Sequence, residues 1–165
     1  MTDTLEKLIA ALREELTQYG EILALLDHQQ ESAIHRLTDE MFAATTAIQN
    51  QAKVIQLGRR DREQCQRALA RALGVAETST FVELIPLLPQ AYQPLLQSLV
   101  DENNALLQRV QERARQNHLL LSRSVELMQR FLGMLFPARE TQVYNEHGTR
   151  ELHSLPPPPL YEAVG

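Results

Sequence analysis

The sequence predicts an all-α protein: a long antiparallel helical hairpin or three-helix coiled-coil bundle, followed by a flexible C-terminal tail. Three observations carry this. Apolar residues recur at alternating steps of four and three, the pattern of a helix packed lengthwise on another. Prolines gather at Pro86, Pro89 and Pro94, between two such runs, and then from Pro137 onward. Past Pro137 the periodicity disappears altogether. The bundle is therefore assigned to residues 1–136, with helices over about 3–28, 31–73, a short 79–87 and 90–135, and the tail to 137–165.

The first helix reads Leu5, Ile9, Leu12, Leu16, Tyr19, Leu23, Leu26. Thr2 or Asp3 can cap its start, with Glu6 three residues beyond Asp3. Gly20 weakens the pattern by about 1 kcal/mol relative to Ala without ending it. The seam falters at "DHQQES" and resumes at Ala33, Leu37, Met41, Ala44, Ile48, Ile55, Leu69 and Leu73. Since neither Gly nor Pro enforces a turn near Gln29, two options stand: one helix from Asp3 to Leu73, or a hairpin turning at about residues 28–31. A single helix of that length would span on the order of 100 Å with nothing to bury its seam, so the break is preferred.

Gly74 suits a helix C′ position and opens a connector, in which Phe81, Val82, Leu84 and Ile85 suggest a short helix folded back on the bundle. Pro94 fits the first turn of the last helix, where its missing N–H costs little. That helix reads Leu96, Leu99, Asn103, Leu106, Val110, Ala114, Asn117, Leu121, Val125, Met128, Leu132, Leu135. Asn in a coiled-coil seam costs stability and fixes register, the expected role of Asn103 and Asn117. In the tail, "LPPPPL" imposes polyproline II geometry on a segment that still carries Tyr144 and Tyr161.

With 165 residues, 44% of them hydrophobic and 22% charged, the chain suits one domain or one extended hairpin. Trp is absent and aromatics make up 5%, which disfavours an aromatic-lined pocket; no cofactor is expected. A formal charge of −5 argues against a nucleic-acid partner. The lone Cys65 fits a reducing compartment. "MTDTLEKLIAALREEL" is an amphipathic helix start, not a signal peptide, and no run of apolar residues is long enough to insert in a membrane. The expectation is a cytoplasmic protein.

Chemistry is sparse. A di-metal bundle site needs Glu-x-x-His pairs on facing helices. Only His28, Glu31 and His35 share a face here, and they read better as surface residues. No phosphate loop, zinc spacing or nucleophile with a nearby His occurs, so the chain is not expected to be an enzyme. The run Lys53–Arg71 holds six basic and two acidic residues, while residues 1–40 hold nine acidic and three basic. Complementary faces within a bundle explain this better than nucleic-acid binding. One excess stands out. In "HLLLSRSVELMQRFLGMLF" apolar residues exceed what a two-helix seam consumes. Either a third helix uses them, or Leu121, Val125, Met128, Phe131, Leu132 and Leu135 form a face awaiting an amphipathic partner, for which Met and Phe are apt.

Several segments resemble the FlgN-type flagellar export chaperones. "LTDEM" at Leu37–Met41 is similar to that family's Leu-Thr-x-Glu-Lys, with Met41 in place of Lys. The stretch before it, "QESAIHRLTDEM", has Gln30 where the family commonly has Asp. "VQERARQNHLLLSRSVELMQRFLGML" resembles the third helix, where Asn117 precedes Leu119, Leu120 and Leu121, although His118 stands where a second Asn is frequent. "VYNEHG" resembles the Tyr-x-x-x-Gly tail motif through Tyr144 and Gly148. The resemblance runs over roughly residues 3–150 and implies a chaperone for the junction proteins FlgK and FlgL. Their C-terminal segments would lie on the Leu121–Leu135 face. It further implies docking on the export gate protein FlhA through Tyr144, with Val143, Asn145 and Gly148 shaping the turn. The alternative for Tyr144 is folding back against Phe131 or Phe136. Competing readings are an adaptor coiled coil whose homodimer seam buries the same apolar face, and a helical metal enzyme.

Overall fold

The computed structural model describes residues 2–135, which fold into α1 (Thr2–Ile34), α2 (Thr38–Leu73), a one-turn α3 (Phe81–Leu84) running into a 3-10 turn (Ile85–Leu87), and α4 (Gln93–Leu135). No strand occurs among the described residues. Residues Met1–Glu126 form one compact unit. The helical residues 127–135 belong to a second.

Within the first unit, α1 packs on two partners, so it buries more than a single stripe. Leu5, Ile9, Leu12, Tyr19 and Leu26 are buried as the heptad reading requires, Leu16 and Leu23 of that reading are only half-buried, and Leu8, Glu15, Ile22, Gln29 and Ser32 are buried instead or beside them. α2 runs antiparallel to α1: Glu15 meets Arg62, Gln51 donates to the Gln18 carbonyl, and Gln29 donates to Thr45 Oγ1. Its packing face mixes Ile55 and Leu69 with small residues. Ala44 and Ala70 are buried, and a Cβ on Gly58 would come within 2.6 Å of Gln18 Oε1. α4 instead runs parallel to α1. Asn103 Nδ2 donates to the Leu12 carbonyl at 3.0 Å and Asn117 Nδ2 to the Leu26 carbonyl at 2.7 Å. Both bridges join residues 91 apart in sequence, so the two helices keep one register over two heptads.

Two apolar clusters fill the unit. The first joins Leu5, Leu8, Ile9 and Leu12 of α1 to Leu69, Ile85, Leu88, Leu96 and Leu99, with Cys65 and Phe81 against it. The second holds Tyr19, Ile22, Leu26, Ile55 and Val110. Between them lies a buried polar group. Arg62 Nε stands 2.9 Å from Glu15 Oε2, Tyr19 donates to Glu15 Oε1 at 2.8 Å, and Arg62 also donates to Gln66, whose amide reaches the Ser79 carbonyl. Both Glu15 oxygens are satisfied, which offsets the cost of taking the ion pair out of water. Burial, reinforced by the Glu15 carboxylate, pushes the Tyr19 phenol well above its ordinary range, so it stays a donor.

The turn between α1 and α2 lies at His35–Leu37, not at residues 28–31. "DHQQES" falters because its seam positions are polar and buried, not because the helix ends. Gln29 is bound to Thr45 and Asn117, and Ser32 is 1% exposed. The helix ends in a paired closure, with Leu37 N–H donating to the Ser32 carbonyl and Arg36 N–H to that of Ala33. Arg36 holds the left-handed position (φ 59°) that glycine usually takes, hence the missing signal. Gly74 closes α2 with the same pattern at φ 72°. The short helix expected over 79–87 is split. A Thr80–Glu83 capping box starts α3, and Pro86 allows only the 3-10 turn beyond it. α4 begins at Gln93, three residues later than expected, with Pro94 in its first turn. The complementary-face expectation for the basic run holds for Arg62 alone, the only cation of α2 with an ion pair to α1.

Candidate functional site

α4 changes character along its length. Its buried residues are Leu96, Leu99, Asn103, Val110 and Asn117, and none follows. The register explains where burial stops: an offset of 91 residues matches Ile34, the last residue of α1, to Val125. Along α4 the sequence nevertheless stays apolar. Leu121 is half-buried, whereas Val125 is 57% exposed and Leu119 51%. Among the helical residues 127–135, Met128, Phe131, Leu132 and Leu135 are each about half exposed or more, and Met134 is 77% exposed. Within the second unit Met128, Leu132 and Leu135 recur at steps of four and three, on one face of the helix. Gly133 has no atom within 4 Å of where a Cβ would stand, so no close approach requires it.

The first unit adds apolar residues that sequence reasoning did not assign to a site. Ile34, Leu37 and Phe42, around the α1–α2 turn, are 62%, 43% and 63% exposed. Leu37 had a place in the expected seam; the turn at His35–Leu37 removes it. Ile34 and Phe42 are bulky apolar residues off the heptad positions, and that was the only signal available. Beneath this surface runs a polar layer across three helices. Asn117 donates to Gln29 Oε1 at 3.0 Å, Gln29 donates to Thr45 at 2.9 Å, and Thr45 donates to the Met41 carbonyl. Beside it Arg113 pairs with Asp27 at 3.0 Å and donates to Gln30.

Exposed apolar side chains of this kind can adsorb an apolar helix face. His28, Glu31 and His35 are exposed, and no group of three or more potential metal ligands comes together among the described residues. Cys65 is half-buried against the first cluster. No described helix is long and apolar enough to cross a membrane. Val143, Tyr144, Asn145 and Gly148, expected to dock on a gate, lie outside the described residues, as do Phe136 and the proline run.

A search of curated proteins and a search of solved structures each return no match. The model of the FlgN protein family matches residues 1–151 and so includes every helix described above. The chain is a member of the FlgN family, a chaperone family of flagellar export.

Proposed function

We propose that this protein is a cytoplasmic export chaperone that binds the C-terminal segments of the junction proteins FlgK and FlgL and delivers them to the gate protein FlhA. The observation that carries the reading is apolar exposure on α4: Val125, with Leu121 half-buried, in the first unit, and Met128, Phe131, Leu132 and Leu135 in the second. A monomer gains nothing in stability by keeping a contiguous apolar face in water; such faces mark interaction surfaces. A cargo segment that is disordered before assembly folds against such a face as an amphipathic helix. It forfeits part of its affinity to ordering, which keeps release possible. No bond is made or broken in this cycle. Gate docking falls to the tail, where Tyr144 supplies a ring for an apolar pocket and a hydroxyl for a hydrogen bond.

Calorimetric titration with C-terminal peptides of FlgK and FlgL from the same organism tests this. Saturable binding should fall at least tenfold in Leu132→Asp, whose charge would be buried under the cargo, on the order of 1.4 kcal/mol or more. Tyr144→Ala should leave peptide binding unchanged and weaken binding to the FlhA cytoplasmic domain. Absence of peptide binding, together with light scattering from a tight dimer that Leu132→Asp dissociates, would replace the chaperone reading with the homodimeric adaptor.

A further inference from the structure

We propose that the outer face of α2 is a second docking surface, for an acidic amphipathic helix of a partner protein. α2 buries Ala44, Ile55, Leu69 and Ala70 against the rest of the unit. On the line opposite stand Lys53, Arg60 and Arg67, seven residues apart, with Arg71 one turn further, all exposed. At a rise of 1.5 Å per residue the first three cations recur about every 10.5 Å, and the line extends roughly 27 Å. No carboxylate occupies it. Glu63 and Glu77 reach in from outside, 3.6 Å from Arg67 and 3.5 Å from Arg71, while Lys53 and Arg60 have no ion pair among the described residues. Leu57, one turn from Lys53 and nearly one from Arg60, is 59% exposed.

Of this basic run Arg62 pairs with Glu15 of α1 and Arg71 with Glu77 of the connector, whereas Lys53 and Arg60 have no ion pair among the described residues, so bundle cohesion does not account for those two. The setting selects the occupant. The chain as a whole carries −5, so a polyanion large enough to feel the whole molecule, nucleic acid or an anionic bilayer, is repelled beyond the ridge. Single-stranded nucleic acid also wants aromatic platforms, and the line from Lys53 to Arg71 has none. A bilayer wants a broad apolar wedge, and Leu57 alone does not make one. A helix with Glu at seven-residue intervals repeats its charge at the same 10.5 Å or so and can set an apolar seam on Leu57, the division of labour found along coiled coils. This surface lies on another helix from the α4 face and does not depend on the cargo reading.

The test uses the full chain and four probes: a synthetic helix with a leucine seam and Glu at every seventh position, a scrambled peptide of equal composition, a single-stranded oligodeoxynucleotide, and phosphatidylcholine vesicles containing phosphatidylglycerol. The spaced peptide should bind, and Lys53→Gln/Arg60→Gln should weaken it roughly tenfold, as for the loss of two ion pairs. Both residues are exposed, so the variant should keep its circular dichroism. Leu132→Asp should leave this binding unchanged, which separates it from capture by α4. Equal binding of the scrambled peptide, no loss in the double variant, or tighter binding of the oligonucleotide or vesicles would each overturn the proposal.

Discussion

α4 meets α1 in two ways, and the two contacts differ in kind. Near its start, Leu96 and Leu99 join an apolar cluster fed by α1, α2 and the connector, and Leu96 is fully buried. Farther along, Asn103 and Asn117 each donate to an α1 carbonyl, and between them Val110 is the one buried apolar residue, with Leu106 and Leu107 partly buried against the second cluster. Among the described residues the buried Oδ1 atoms of both asparagines and the Ser32 Oγ have no hydrogen-bond partner. The first contact supplies cohesion; the second supplies register at a cost in polar satisfaction.

Substitutions can break or sharpen the contrast. The largest effect is expected from Leu96→Ala, which leaves a cavity shared by α1, α4 and the connector. Urea denaturation should report a loss of about 2–5 kcal/mol for the whole cooperative unit. Asn117→Ala should cost less, about 1–3 kcal/mol, because it strands the Gln29 amide oxygen in a buried layer. Its readout is local. Hydrogen exchange should quicken over the α4 segment between Asn103 and Val125 while amides around Leu99 keep their protection. Uniform acceleration along α4 would mean that the two contacts form a single unit. The smallest effect, and one of opposite sign, belongs to Arg36→Gly. Removing a Cβ from a left-handed position should stabilise the hairpin by about 0.5–1 kcal/mol, after allowance for the added freedom of glycine in the unfolded chain. A neutral or destabilising result would show that the Arg36 side chain is itself holding the turn.

Much of this fold is legible in the residues. The heptads of α1, the glycine that closes α2 and the proline in the first turn of α4 each state a local rule that the structure obeys. The α1–α2 turn was misplaced for two related reasons. Polar side chains at Gln29 and Ser32 look like the end of a seam when they are its interior, since satisfaction by Thr45 and Asn117 comes from residues distant in sequence. The real turn then carries Arg36 where a glycine would have announced it. The apolar excess of α4 could be seen as an excess, because periodicity counts residues. Whether a third helix would consume it could not, because that depends on where α1 ends relative to α4. Ile34 and Phe42 become a surface only once the turn between them is known.

The parallel pairing of α1 and α4 also dictates an order of events at the ribosome. Every bond from Asn103 or Asn117 to α1 closes a separation of roughly ninety residues, whereas Gln29 and Thr45 are only 16 apart. Short closures form first and long ones last. At typical synthesis rates, α1 waits roughly 5–20 s between the emergence of Leu12 and that of Asn103. From the emergence of the end of α2 at Leu73 until that of Asn103, the α1–α2 hairpin stands with its second apolar stripe open. For that part of the interval the nascent chain exposes an apolar stripe of α1 that α4 later covers.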